Sequence, residues 1–328
     1  MKKFINTPAT YLMDSLNGFA AAHADLVQLH LEPLVLTRRE PRAKVALISG
    51  GGSGHEPLHA GFIGHGMLDA ACPGQVFTSP TPDQMLKAAE LVDSGAGVLF
   101  IVKNYSGDKM NFEMAAEMLS TANATVIIND DVAVENSSFT TGRRGVAGTV
   151  IVEKIVGALA ESGANLEQCR LMAENVNSKL ATMGVALKSC IVPAAGTPTF
   201  NLPDDEIEIG VGIHGEPGRR RSPMAAASNI AAELLGAILA DLAPEAGAEV
   251  LLLVNGLGAT PVSELYLLFN DARCQLEQRG LRVSRSLVGN YTTALEMAGA
   301  SITLCLLDEE LTALWDAPVH TAALRWGV

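Results

Sequence analysis

No cysteine pair, no extended basic stretch and no membrane-length apolar run occurs in this sequence, and each absence removes a class of answer. The five cysteines (Cys72, Cys169, Cys190, Cys274 and Cys305) are scattered and none forms a C-x-x-C pair. That spacing offers neither a disulfide framework nor a zinc site and points to reduced, buried thiols in a cytoplasmic protein. Basic residues are outnumbered: 23 Lys and Arg against 36 Asp and Glu give a formal net charge of −13. Such a balance repels nucleic acid. The one dense basic run, Arg219-Arg220-Arg221, reads as a solvated surface loop, with contact to an acidic partner protein as the alternative. No uninterrupted apolar run approaches the ~20 residues that cross a bilayer. The N-terminal "MKKFINTPATYLMDSLNGFA" is too polar for a signal peptide and reads as an amphipathic helix. Aromatics are only 5 % of residues, so the cores have to be built from Val, Ile, Leu, Ala and Met.

What is present is a globular composition, 48 % hydrophobic and 18 % charged, over 328 residues. That length suits two domains better than one core. Strand-like runs alternate with helical patterns. "KVALISG" (44–50) leads into a glycine loop. "TPDQMLKAAELVDSG" (81–95) is a helix with Thr81 as N-cap and Pro82 at its first position. "GVLFIVKN" (97–104) is a buried strand, "NFEMAAEMLSTA" (111–122) a helix, "TVIIND" (125–130) a strand and "RGVAGTVIVEKIVGALAESG" (144–163) a long apolar helix. This alternation is the signature of a parallel sheet covered on both faces, which binds ligands at the carboxyl ends of its strands.

After the helical "NLEQCRLMAENVNSKLATMG" the pattern changes. "VALKSCIVPAAG" and "IEIGVGIHGEPG" are strands without a helix between them. "SPMAAASNIAAELLGAILADLAP" (222–244) reads as a helix capped by Ser222 with Pro223 in its first turn. A strand, a helix ending at Gly280 and two further strands follow. The expectation is a doubly wound parallel-sheet domain over 1–182 and a mixed-sheet α/β domain over 183–328, with the final "WDAPVHTAALRWGV" packing back on the body. There are no repeats and no low-complexity linker.

The stretch "LISGGGSGHEP" (47–57) carries the first chemical signal. A Walker loop needs a lysine and a hydroxyl after its last glycine, but here Gly54 precedes His55-Glu56-Pro57. The dinucleotide pattern G-x-G-x-x-G fails as well, with His55 or Pro57 at its sixth position. What remains is a backbone-lined cradle with a histidine at its rim, suited to a small polyhydroxylated or phosphorylated molecule, or else a tight turn that holds nothing. "FIVKNYSGDKMNFE" places Lys103, Asn104, Tyr105 and Asp108 at another strand end, where α/β enzymes keep acids and bases. "GVGIHGEPG" puts His214 at a third. "FTSPTP" (77–82) and "IINDDVAVENS" (128–138) are similar loops. The adjacent Asp130 and Asp131 point in different directions on an extended chain, which favours structure or capping over a metal.

Taken together, "SGGGSGHEPLHAGFIGHGMLDAACPGQVFTSPTPDQM", "KNYSGDKMNFE", "INDDVAV", "GRRGVAGTV", "VGIHGEPG", "NGLGATPVSELY" and "LWDAPVH" resemble the dihydroxyacetone kinase family, in particular its stand-alone substrate-binding subunit. The resemblance runs from Lys2 to Gly327. It implies a cytoplasmic homodimer that holds dihydroxyacetone as a covalent hemiaminal on His214. Asp108 is implied as general base and His55 as a hydrogen-bonding partner, with Gly52, Ser53, Gly54 and Lys103 completing the pocket. It implies no metal and no cofactor on this chain. ADP or ATP with Mg would sit on a separate L subunit, recharged by a phosphotransferase-system donor or by exchange with free ATP. An insertion carried by some members between "AILADLAPEAG" and "EVLLLVNGLG" is missing here. Two alternatives stay open: a kinase for a longer ketose such as erythrulose, and a non-catalytic ketone-sensing co-activator.

Overall fold

The computed structural model describes residues 2–134 and 140–328, so the end of "IINDDVAVENS" lies outside the described residues. The elements run α1 (Tyr11–Ala22), β1 (Val27–Leu31), β2 (Leu34–Arg38), β3 (Ala46–Ser53), β4 (Gly64–His65), β5 (Ala70–Val76), α2 (Pro82–Val92), β6 (Val98–Lys103), α3 (Ser106–Met118) and β7 (Asn123–Ile128). Then come α4 (Gly148–Glu161), α5 (Leu166–Ser178), β8 (Leu180–Lys188), β9 (Glu206–Ile209), β10 (Arg220–Pro223), α6 (Ala227–Leu242), β11 (Glu249–Gly256) and α7 (Val262–Gln278). The chain closes with β12 (Arg282–Gly289), β13 (Ala298–Leu307), α8 (Glu309–Asp316), β14 (Val319–Thr321) and β15 (Arg325–Trp326).

The first sheet has the order β1-β2-β5-β3-β6-β7. Strands β5, β3, β6 and β7 are parallel, and the antiparallel hairpin β1–β2 extends one edge. Alternation along β6 shows why both faces must be covered. Val98, Phe100 and Val102 pack with Met85 of α2 and Phe112 of α3, whereas Leu99 and Ile101 pack with residues of α4 and α5. The second sheet, β10-β9-β8-β13-β11-β12, is antiparallel except for the β11–β12 pair. One of its faces lies under α6 and α7; Leu251, Leu253 and Cys305 on the other face join the core that contains α4. The expected two-part α/β architecture, one parallel-sheet part and one mixed-sheet part, is what the structure contains.

Helix α4 lies between the two sheets, which explains an apolar pattern that goes all the way round rather than along one stripe. Nearly all of it is buried. Its N-terminus is capped by Asp130, whose carboxylate accepts hydrogen bonds from the Val146 and Gly148 N–H groups, each at 2.8 Å, and from the Thr182 hydroxyl. Asp131 faces the other way and pairs with the buried Arg144. The structural reading of the two aspartates therefore holds.

Several local expectations are corrected. Ser222 and Pro223 do not start α6; they belong to edge strand β10, where Ser222 lies opposite Ile207. Proline is tolerated there because an edge strand leaves one row of N–H groups unpaired. Helix α6 begins at Ala227 instead. "LATMG" is strand, not helix: Leu180 to Gly184 pair with β13. The expected division after residue 182 thus falls within β8. Helix α3 starts at Ser106, so Asp108 sits in its first turn rather than in a loop. The three arginines are not free in solvent: Arg219 donates to the Val132 and Ala133 carbonyls, Arg220 pairs with Glu233 and Arg221 with Glu208. Near the C-terminal end, β14 pairs with β4 of the first unit, and Leu324 is buried.

Asp130→Ala should leave the first turn of α4 and the Thr182 hydroxyl short of an acceptor inside the protein. The expected cost is about 2–4 kcal/mol, read as a lower urea midpoint, with Asp130→Asn losing less.

Candidate functional site

The glycine loop is set by close approach. A Cβ on Gly50 would stand 2.6 Å from the Cys72 carbonyl oxygen, one on Gly51 2.5 Å from Lys103 Nζ, and one on Gly52 2.6 Å from the Thr78 nitrogen. Without side chains, the end of β3 fits between β5 and β6 and exposes its backbone at their carboxyl ends. Beyond it the chain crosses to the second sheet. Gly54 O accepts from Leu295 N at 2.7 Å, and the Thr293 hydroxyl donates to Glu56 O at 2.9 Å.

That stitching fixes His55, which is 1 % exposed. Its Nδ1 lies 2.7 Å from the Thr293 carbonyl oxygen. A carbonyl only accepts, so Nδ1 carries the proton and Nε2 faces outward with its lone pair. At 3.1 Å from it stands Nε2 of His214, carried on the loop that follows β9. Burial pushes the His55 imidazole well below its ordinary value, reinforced by His214 and Lys103.

His214 is oriented from its other side. Nδ1 lies 2.9 Å from Glu216 Oε1, and the His214 backbone N–H donates to Glu216 Oε2 at 2.8 Å. Burial pushes the Glu216 carboxyl up, but His214 and the nearby Arg144 outweigh it and hold the group down to about 2. Ionised, the carboxylate accepts from Nδ1–H and leaves Nε2 of neutral His214 unprotonated. The two Nε2 atoms face one another at 3.1 Å, a contact that one added proton would turn into a hydrogen bond. Three rings enclose His214: His55 and Phe77, stacked on each other, meet it edge-on at 4.8 and 5.2 Å between centroids, and Tyr105 does so at 4.6 Å.

The His214 ring opens on a cavity of about 620 Å³ lined also by Gly52, Phe77, Ser79, Tyr105 and Asp108. Asp108 Oδ1 is buried without a hydrogen-bond partner. Burial raises its pKa, opposed first by the charge of Lys103 and then by a hydrogen bond from Ser79. A nucleophilic nitrogen, a second imidazole to move a proton and a carboxylate with a free oxygen thus share one pocket.

A model of the Dak1 domain matches residues 17–323 of the sequence. The chain belongs to the dihydroxyacetone kinase family. Relatives within this family include the "PEP-dependent dihydroxyacetone kinase, dihydroxyacetone-binding subunit DhaK" of Escherichia coli K12, 48 % identical with both chains covered in full. The counterpart named PTS-dependent dihydroxyacetone kinase 1 in Listeria innocua is 49 % identical over 98 % of this chain and all of that one. Bovine triokinase/FMN cyclase is 42 % identical across 99 % of this chain but only 58 % of its own length. Among solved structures, a dihydroxyacetone kinase operon co-activator superposes with a TM-score of 0.89 at 36 % identity, covering 94 % of this chain and 97 % of that one. The dihydroxyacetone kinase of C. freundii does so with 0.90 at 34 %, covering 99 % and 60 %.

In this dihydroxyacetone kinase family member, His55, His214, Asp108 and Gly52 converge. The Ser53 hydroxyl turns away to the Gly74 carbonyl at 2.7 Å, and Gly54 serves the seam to Leu295. Lys103 stands behind the glycine strand, where Nζ donates to His59 Nε2 at 2.7 Å and to the Gly50 carbonyl at 3.3 Å. Sequence reasoning gave no role to Glu216, Phe77, Thr293 or Arg144. Only Glu216 had a local signal, a carboxylate two residues after a histidine in a glycine-rich turn. No group of residues that could hold a metal ion occurs among the described residues, and none of their helices is long and apolar enough to cross a membrane.

Because Glu216 is ionised down to about pH 2 in the folded chain, its stabilisation is fully present above the carboxylate's unfolded pKa. It is lost as pH falls through about 2. The stability deficit of Glu216→Gln should therefore be constant above about pH 5 and shrink below it, as measured by denaturant titration at a series of pH values.

Proposed function

We propose that this protein is the substrate-binding subunit of a dihydroxyacetone kinase, holding the ketone as a hemiaminal on His214 while a separate subunit supplies the phosphoryl group. The observation that carries the reading is the pair of Nε2 atoms 3.1 Å apart at a cavity that also holds Asp108. The names of the closely similar relatives support the substrate and the dependence on a phosphotransferase system.

The chemistry follows from the proton inventory. With one proton added to the pair and carried on His55 Nε2, His214 Nε2 uses its lone pair to attack the carbonyl carbon of the entering ketone. The carbon–oxygen π bond breaks, and the developing oxyanion takes the proton from His55 Nε2. The His214 ring, now substituted, carries a positive charge against the Glu216 carboxylate. A ketone can form this bond and glycerol cannot, so bond formation rather than shape separates them. Asp108 would then take the proton from a terminal hydroxyl as that oxygen attacks the terminal phosphorus of ATP supplied by the L subunit, and the phosphorus–oxygen bond to ADP would break, with ADP as the leaving group. In this reading the partner L subunit carries ADP or ATP with Mg, and this chain carries no cofactor of its own. It works in the cytoplasm as a homodimer, with residues up to about 182 supplying His55 and Asp108 and the remainder supplying His214.

The likeness to an operon co-activator supports a second reading, a ketone sensor, which requires His214 but no base. Asp108→Asn distinguishes them. With an L subunit and donor present, the variant should still bind ketone and lose phosphorylation by at least ~10²-fold. Turnover near wild type would remove Asp108 as the base. Running dihydroxyacetone and erythrulose side by side assigns the substrate.

His214→Ala should abolish the mass gain that dihydroxyacetone gives the intact chain and let glycerol compete for the cavity. Normal ketone binding with glycerol still rejected would sink the covalent step.

A further inference from the structure

Behind the glycine strand lies a buried line of titratable side chains that the reaction above does not use. Lys103, 1 % exposed, donates from Nζ to His59 Nε2 at 2.7 Å. The acceptor nitrogen has no proton, so the His59 proton is on Nδ1, which lies 2.6 Å from Glu153 Oε1. Glu153 comes from the centre of α4, is fully buried, and its Oε2 has no hydrogen-bond partner. At the front end of the line, a Cβ on Gly51 would meet Lys103 Nζ at 2.5 Å and Asp108 Oδ2 at 3.6 Å. Lys103 and Asp108 therefore stand on either side of a residue with no side chain, close enough to act through space without forming a direct ion pair.

We propose that His59 and Glu153 are positioning residues for phosphoryl transfer: they hold the Lys103 ammonium behind Gly51 as the fixed counter-charge that keeps Asp108 an ionised base. This rests on the proposed role of Asp108. A lysine in so dry a place stays charged and stays put only if its protons have acceptors. The Gly50 carbonyl is one, at 3.3 Å, and His59 is the other and shorter one. Glu153 fixes the tautomer that lets His59 accept. The groups facing Lys103 are Asp108 from α3, Glu153 from α4, and His55 and His59 from the segment after β3. Burial lowers Lys103, and Asp108 and Glu153 oppose that. Burial likewise pushes the Glu153 carboxyl up, and the charge of Lys103 opposes that.

The test is the acid limb of the kcat–pH profile for ketone phosphorylation, measured with the L subunit and donor in excess. Loss of the His59 acceptor leaves Lys103 only the longer bond to the Gly50 carbonyl, its counter-charge on Asp108 weakens, and the Asp108 pKa rises. His59→Leu should therefore move the acid limb upward by about one pH unit, lowering kcat about tenfold on that limb with recovery at higher pH. His59→Gln, whose amide can accept from Lys103 and donate to Glu153, should restore most of the shift. A uniform loss of kcat with an unmoved limb, or an unchanged profile, overturns the proposal. If His59→Leu fails to fold, nitrogen NMR of the wild-type chain decides the matter. The proposal requires neutral His59 with its proton on Nδ1, and a proton on Nε2 rules it out. If the wild-type pair phosphorylates no ketose, the functional reading fails by itself, and the tautomer of His59 still reports on the buried line.

Discussion

Two adjacent buried carboxylates, Asp130 and Asp131, tie the molecule together. The first closes the N-terminus of α4 and reaches Thr182 of the second sheet; the second holds Arg144, which bonds the Gly210 carbonyl and lies near Glu216. One dipeptide thus links the end of the parallel sheet, the central helix and the loop bearing His214. Neutralising either carboxylate would disturb fold and site together, because both depend on the same junction. Burial raises both pKa values, Asp131 to about 6, so the desolvation cost is only partly offset. The junction persists because removing one partner strands another.

The candidate site is assembled across long sequence separations. His55 and Thr293 are 238 residues apart, His55 and His214 159 apart. Each histidine owes its tautomer to a partner on its far side, a carbonyl for one and a carboxylate for the other. Charge placement in such a site depends less on the histidines themselves than on what holds their second nitrogens. Aromatic residues are scarce in this chain, yet Phe77 and Tyr105 are used here, where flat faces restrain a ring that has to present one atom.

Much of the fold was legible because burial on both sides writes long apolar runs such as "GVLFIVKN". Local codes were less reliable. Thr81-Pro82 and Ser222-Pro223 are nearly the same signal, yet the first opens α2 and the second lies in β10. A strand waiting to be paired, β9, decided the second case, and no local pattern reports that. Asp108 was recognised as chemistry but not as part of a helix, since Gly107 in the first turn disguised where α3 begins. His55, Asp108 and His214 stand at strand ends and could be singled out. Thr293 and His59 could not, because a carbonyl has no sequence signature and a histidine beside a buried lysine looks like any other.

The pairing of β14 with β4 has a consequence for how the chain is made. His320 and Thr321 lie opposite His65 and Gly64, so a piece of the first unit waits for residues synthesised more than 250 positions later. During translation the parallel sheet can form early, but α4 remains exposed on the side that the second sheet will cover. One side of α4 therefore has no cover until the strands of the second sheet have been made, and the order of synthesis runs against the order in which the interior is sealed.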